Sequence, residues 1–203
     1  TSVCRWSSAD LDAARKTNDP ALYKRAVDIA FQARNGDSAL SAARAWKQAL
    51  PNSREANRYV LQILLALNRV SESVDPLRAD IALADAKDRN AVLSIIPRNY
   101  ARVADKKLAA NVVEQALGEY LSSNATAPAA WSTVGRMRLA AGDTPGALEA
   151  ARHGQAANPR AEGPALLALE LMDPKQPQAE VLVRKYMEGK PLPELRMGYA
   201  RAL

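Results

Sequence analysis

The chain is poor in the residues from which enzyme sites are built. Among 203 residues there is one cysteine, Cys4, one histidine, His153, and one phenylalanine. A single cysteine excludes an internal disulfide and any cysteine-clustered metal site. With one histidine and a single cysteine near the start, no Ser-His-Asp or Cys-His nucleophile system is readable in the spacing. His153 follows Glu149 by four residues on the same helical stretch and reads as a partly exposed helix residue. Neither a GxxxxGK[ST] nor a GxGxxG phosphate loop is present. Long apolar runs are missing too: YVLQILLAL (59–67) is too short to span a bilayer and contains Gln62. TSVCRWSSAD at the start has no apolar core of the kind a signal peptide needs. These absences argue for a non-enzyme with no cofactor, no metal and no membrane span.

The net charge of +6 and the pI near 9.6 raise nucleic acid as a partner. The positive residues, however, stand singly along the chain at Arg15, Arg25, Arg34, Arg44, Arg54, Arg58, Arg69 and Arg78, interleaved with acids. Lys106-Lys107 is the one lysine pair, and no stretch alternates basic residues with aromatics for base stacking. No nucleic-acid role is expected. Carboxylate pairs such as Asp80 and Asp85 fall on separate turns and suit solvated faces.

What the chain does have is alanine, about a fifth of all residues, with abundant leucine in helical periods. From Pro128 to Pro159 it spells one repeat unit. Counting Pro128 as position 1, Trp131, Val134, Gly135, Gly142, Asp143, Ala147, Ala151, Gly154 and Pro159 occupy positions 4, 7, 8, 15, 16, 20, 24, 27 and 32. That spacing resembles the tetratricopeptide pattern, a helix–turn–helix of about 34 residues. Trp131, Val134 and Leu139 supply an apolar stripe, Gly135 admits a second helix, and Gly142-Asp143 makes the turn. The implied fold is all-α: a tetratricopeptide-like α-solenoid of stacked antiparallel helix hairpins in a right-handed superhelix.

The remaining segments are read as hairpins at about 19–51, 53–86, 89–123 and 161–188 around the strong unit at 126–159, with an unpaired helix at 192–203. Asp19 and Pro20 start a helix as N-cap and N1. Asn35-Gly36-Asp37 turns the chain, and Trp46 stands where the pattern wants a small residue. Asn68 replaces a turn glycine, and Pro76 is acceptable only near a helix start. NAVLSIIP (90–97) reads as a short helix closed by Pro97, and 105–123 as one amphipathic helix. Residues 1–18 are expected to be a poorly ordered or partial segment with a short helix near Ser8–Lys16. Neither end reads as a polar cap, so a fragment of a longer array is expected, with 19–203 as one solenoid.

A closer resemblance covers about 19–160. DP(x)₄RA (19–26), AxxW(x)₄P (43–51), IIPRNYARVADKKLA (95–109) and WSTVGRMRLAAGD (131–143) are similar to long tetratricopeptide proteins of the Gram-negative cell envelope. Many of these are outer-membrane lipoprotein adaptors, and one binds a carboxy-terminal processing protease. The resemblance implies a periplasmic adaptor, anchored through a segment absent here, with an envelope protease as a candidate partner. Cys4 lies in no lipobox.

In this pattern, positions 2, 5, 9, 12 and 13 face the concave groove. They nominate Glu55, Arg58, Gln62 and Leu65 in one unit, and Ala129, Ser132, Arg136, Leu139 and Ala140 in the strong one. Arg98, Asn99 and Arg102 would line the same face. The protein-binding candidates are thus Arg58, Gln62, Arg98, Asn99, Arg102, Ser132 and Arg136, whose arginines suit an acidic or carboxylate-bearing segment. The bland reading is that these arginines bridge neighbouring helices. The alternative function is a self-association module that forms a homodimer through the open helix 192–203.

Overall fold

A computed structural model describes residues 2–173, 177–189 and 191–202. The side chain of Cys4, residues 174–176 of the MDPKQP connection, and Leu203 lie outside the described set. Every regular element among the described residues is helical, and the chain divides into two compact units, 1–85 and 86–203. The division falls between the hairpins expected at 53–86 and 89–123, where a single array was anticipated. In each unit antiparallel hairpins stack in the manner of a tetratricopeptide-like α-solenoid.

The first unit contains α1 (Ser2–Thr17), α2 (Pro20–Gln32), α3 (Gly36–Ala49), α4 (Arg54–Ala66), a 3-10 turn (Val70–Ser73) and α5 (Val74–Ala82). Short polar side chains start its helices. The Asp19 carboxylate accepts from the Ala21 N–H, Asn35 from Ser38 and Ser53 from Ala56. Asn18, Arg34 and Asn68 take left-handed φ near 55° after α1, α2 and α4, so Asn68 serves as a turn glycine would. Gly36 has a different use from the one expected. It opens α3 with ordinary φ, and a Cβ there would strike the Leu67 side chain.

Alanines set the spacing of this core. Ala26 and Ala30 of α2, Ala39 and Ala43 of α3, and Val60, Ile63 and Leu64 of α4 are all buried in one cluster. Trp46 tops a second cluster with Ala14, Tyr23 and Ala56, drawn from four different helices. α1 is a continuous helix packed on α2, longer than the short helix expected near Ser8–Lys16, with Ala14 fully buried. Pro76 sits in the first turn of α5, where its missing N–H costs nothing, and the buried Asn57 amide donates to its carbonyl at 2.8 Å. Arg69 and then Arg44 donate to Glu72, holding its carboxyl down to about 2.

The second unit contains α6 (Arg89–Asn99), α7 (Lys106–Ala116), a 3-10 turn (Gly118–Leu121), α8 (Ala127–Ala140), α9 (Thr144–Ala157), α10 (Glu162–Glu170), α11 (Pro177–Met187) and α12 (Pro193–Ala202). Its centre is the hairpin α8–α9. Gly142 turns the chain at φ 82°, and Asp143 caps α9 by accepting from the Gly146 N–H. Gly135 lies against Leu167 and Ala150, and Gly154 against Pro164 and Trp131. Leading helices α6, α8 and α10 therefore pack in series, because small residues let them approach.

Three expectations change here. α6 does not close at Pro97 but continues to Asn99. Proline removes the N–H that would bond the Leu93 carbonyl four residues back. The Thr133 hydroxyl, 2% exposed, donates to that carbonyl at 2.8 Å and makes the helix interior tolerable. Residues 105–123 are not one helix, since α7 ends at Ala116. The following carbonyls of Tyr120 and Leu121 accept instead from Thr126 Oγ1 and Trp131 Nε1. Nor is α12 unpaired: Leu195 is 1% exposed and clusters with Ala165 and Tyr186, while Tyr199 donates to Glu180 and accepts from Arg184.

Replacing Thr133 by valine keeps the shape and removes the donor. A loss of about 1–3 kcal/mol is expected, the cost of stranding a buried carbonyl. Urea unfolding followed by circular dichroism reads it. The same change in a Pro97→Ala background is expected to cost less, because alanine at that position restores the helical bond.

Candidate protein-binding faces

In the first unit, α2 and α4 present their polar sides together. Arg54, Glu55, Arg58, Tyr59 and Gln62 line an open cleft of about 420 Å³ on α4. Lys24 reaches across from α2. Its ammonium donates to the Glu55 carboxylate at 3.0 Å and stands 5.9 Å from the Tyr59 ring centre, at the edge of cation–π range. The hydrogen bond to Glu55 raises the Lys24 pKa. Arg54 donates through Nε to Asp80 on α5 at 3.1 Å.

Two of the three cations here are thus matched by acids of the chain. Arg58 and Gln62 are exposed and make no hydrogen bond or ion pair among the described residues. A free guanidinium presents its donor fork to an incoming carboxylate, and the Gln62 amide offers one donor and one acceptor to a backbone. Repeat spacing brought Glu55, Arg58 and Gln62 to this cleft and left Leu65 outside it. It missed Tyr59, which stands between the groove positions, and Lys24, which is distant in sequence. No local signal marks a contact between residues 31 apart.

The second unit treats its nominated residues unequally. Arg98 and Asn99 are exposed in the last turn of α6, and Arg102 is exposed in the connection after it. Ser132 is buried: its hydroxyl donates to the Pro128 carbonyl at 2.6 Å, and its Cβ faces the backbone of Gly163 on α10. Position 5 of the strong repeat thus meets the next leading helix instead of open groove. Arg136 is half-buried and pairs with Glu170 at 3.1 Å, bridging α8 and α10. Arg138, nominated by no pattern, makes a two-pronged pair with Glu114 on α7 and also donates to the Gly146 carbonyl. These ion pairs hold helices together. His153 stacks on Trp131 with ring centres 4.5 Å apart and lies 3.3 Å from Glu149.

No helix among the described residues is long and apolar enough to cross a membrane. No family model matches the chain, and no curated protein matches it. Among solved structures it is similar to that of the MamA protein, at 16% identity over 83% of this chain and 90% of that one, with a TM-score of 0.43. It is similar also to PilW, a widely conserved type IV pilus biogenesis factor, at 19% identity over 91% of this chain and 82% of that one, with a TM-score of 0.40. A third similar structure is MamA residues 41 to the end from Desulfovibrio magneticus RS-1, at 15% identity, 83% and 91% coverage and a TM-score of 0.38.

Proposed function

We propose that this chain is a non-catalytic scaffold that holds a partner protein or peptide against its leading helices. The observation that supports it is the first-unit cleft, where Arg58 and Gln62 stand without a partner beside the matched groups Lys24–Glu55 and Arg54–Asp80. Satisfied neighbours fix the walls, and the unsatisfied pair is left to a ligand. The resemblance of 19–160 to envelope adaptors supports a periplasmic setting and an envelope protease among the partners. Arg136 and Ser132 are not part of the binding surface in this reading, because α10 already occupies both.

Arg58→Glu is the test. Loss of a charge-assisted contact amounts to about 1.5–3 kcal/mol, so capture of the partner from envelope extract is expected to fall roughly tenfold or more. Helical circular dichroism should stay unchanged, since Arg58 supports no internal contact. Equal capture by the variant and the parent chain would move binding away from this cleft. Arg136→Glu is a poor probe, because it places a second carboxylate opposite Glu170.

A further inference from the structure

Between Arg98 and Lys107 the second unit carries Arg98, Arg102, Lys106 and Lys107, and none of the four forms an ion pair among the described residues. Elsewhere arginines 15, 25, 44, 54, 69, 78, 136, 138, 152 and 184 each pair with an acid. The one acid in the segment, Asp105, is engaged as the N-cap of α7, accepting from the Leu108 N–H at 2.9 Å. Lys106 donates to the Ala101 carbonyl at 2.6 Å, which folds its ammonium back toward the end of α6. Flanking these cations in sequence, Ile95 is 47% exposed and Leu108 36% exposed, in a chain that buries most of its large aliphatics. Ile95, Arg98, Asn99 and Arg102 follow at helical spacing, and Tyr100 and Val103 anchor the turn in the core.

We propose that this α6–α7 tip docks on an anionic lipid surface, with Ile95 and Leu108 entering the headgroup boundary while the four cations meet phosphates. A bound peptide needs a groove to bury its side chains. Ile95, Arg98, Arg102 and Lys106 line neither the cleft around Asn90, Pro128 and Arg160 nor the cleft between α7 and α8. The cleft that Lys107 does line, with Asn111, Glu114, Arg138 and Asp143, already holds two acids. An exposed turn with aliphatic side chains among basic ones matches an interface of lipid headgroups. This inference is separate from the first-unit cleft and stands or falls without it.

Flotation of the full chain with vesicles reads it directly. In about 0.1 M salt, where screening acts over about 10 Å, the chain is expected to float with vesicles of phosphatidylglycerol and phosphatidylcholine and not with phosphatidylcholine alone. Arg98→Gln with Arg102→Gln should lower partitioning on the order of 30-fold, from about 1 kcal/mol per cation. Ile95→Ser, at an exposed site, should lower it without changing the charge. Arg58→Glu should leave it unaltered, and the same variant reports separately on the cleft. Equal binding to neutral vesicles, no binding to anionic ones, or unchanged partitioning of the arginine variant would each overturn the proposal. So would retention on polyglutamate or an oligonucleotide without vesicle binding, which would assign the cations to an acidic polymer.

Discussion

Trp46→Ala is expected to destabilise the first unit by about 3–5 kcal/mol, the range for deleting a buried indole. Trp46 is 1% exposed and shares one cluster with Ala14 of α1, Tyr23 of α2 and Ala56 of α4. Its ring also lies 5.5 Å from that of Tyr59, tilted by 40°. One side chain therefore ties together the helices that carry the cleft, and alanine leaves a void that alanine-rich neighbours cannot fill. Trp46→Phe separates volume from hydrogen bonding. The Trp46 Nε1 donor is buried without a partner among the described residues, so phenylalanine removes an unsatisfied group along with some area. A loss at least about 2 kcal/mol smaller than for alanine is expected by urea unfolding. Partner capture should weaken for alanine, because Tyr59 loses its support. A cost below about 1 kcal/mol for the alanine variant would mean that Trp46 does not organise this core.

In the second unit the largest effect is expected at Gly135. A Cβ there meets the Leu167 side chain, with the Ala150 Cβ at 3.1 Å and the Ala147 carbonyl at 3.3 Å. Helix propensity alone would make alanine better than glycine by up to about 1 kcal/mol. Steric overlap opposes it, and overpacking in a tight core costs about 1–3 kcal/mol. Sterics should win: Gly135→Ala is expected to be net destabilising, and Gly135→Val to cost about 3 kcal/mol. Gly118 is the control, since a Cβ there meets nothing within 4 Å. Gly118→Ala should be neutral or stabilising by up to about 1 kcal/mol. A stabilised Gly135→Ala would show that α8 and α10 do not lie in close contact.

The legible parts of this fold are those where one residue type answers one local need. Gly142 and Asp143 mark the α8–α9 turn because a left-handed residue followed by a cap has few spellings. Asp19-Pro20 and Asn68 are readable for the same reason. Gly135, Ala147, Ala151 and Gly154 announce a close helix pair. Pro97 misleads because the local rule, that proline ends a helix, is overridden by the Thr133 hydroxyl, 40 residues beyond the Leu93 carbonyl it satisfies. The burial of Ser132 and the pairing of Arg136 depend on where α10 lies, which repeat position does not state. In sequence α12 looks open because its partners Ala165 and Tyr186 belong to two other helices. In the cleft, spacing supplies Arg58 and Gln62, and only packing supplies Lys24 and Tyr59.

Side-by-side leading helices are what place exposed polar residues on one wall, and a cross-link between α8 and α10 tests that arrangement most directly. A Cβ at Gly163 would lie 3.2 Å from the Ser132 Cβ, within a few tenths of an ångström of the separation a disulfide adopts. With Cys4 replaced by serine, Ser132→Cys plus Gly163→Cys should oxidise to an intramolecular bond, with both thiols lost and no covalent link between chains. Two thiols that stay free under oxidant, or that join only between molecules, would show that α8 and α10 are not neighbours.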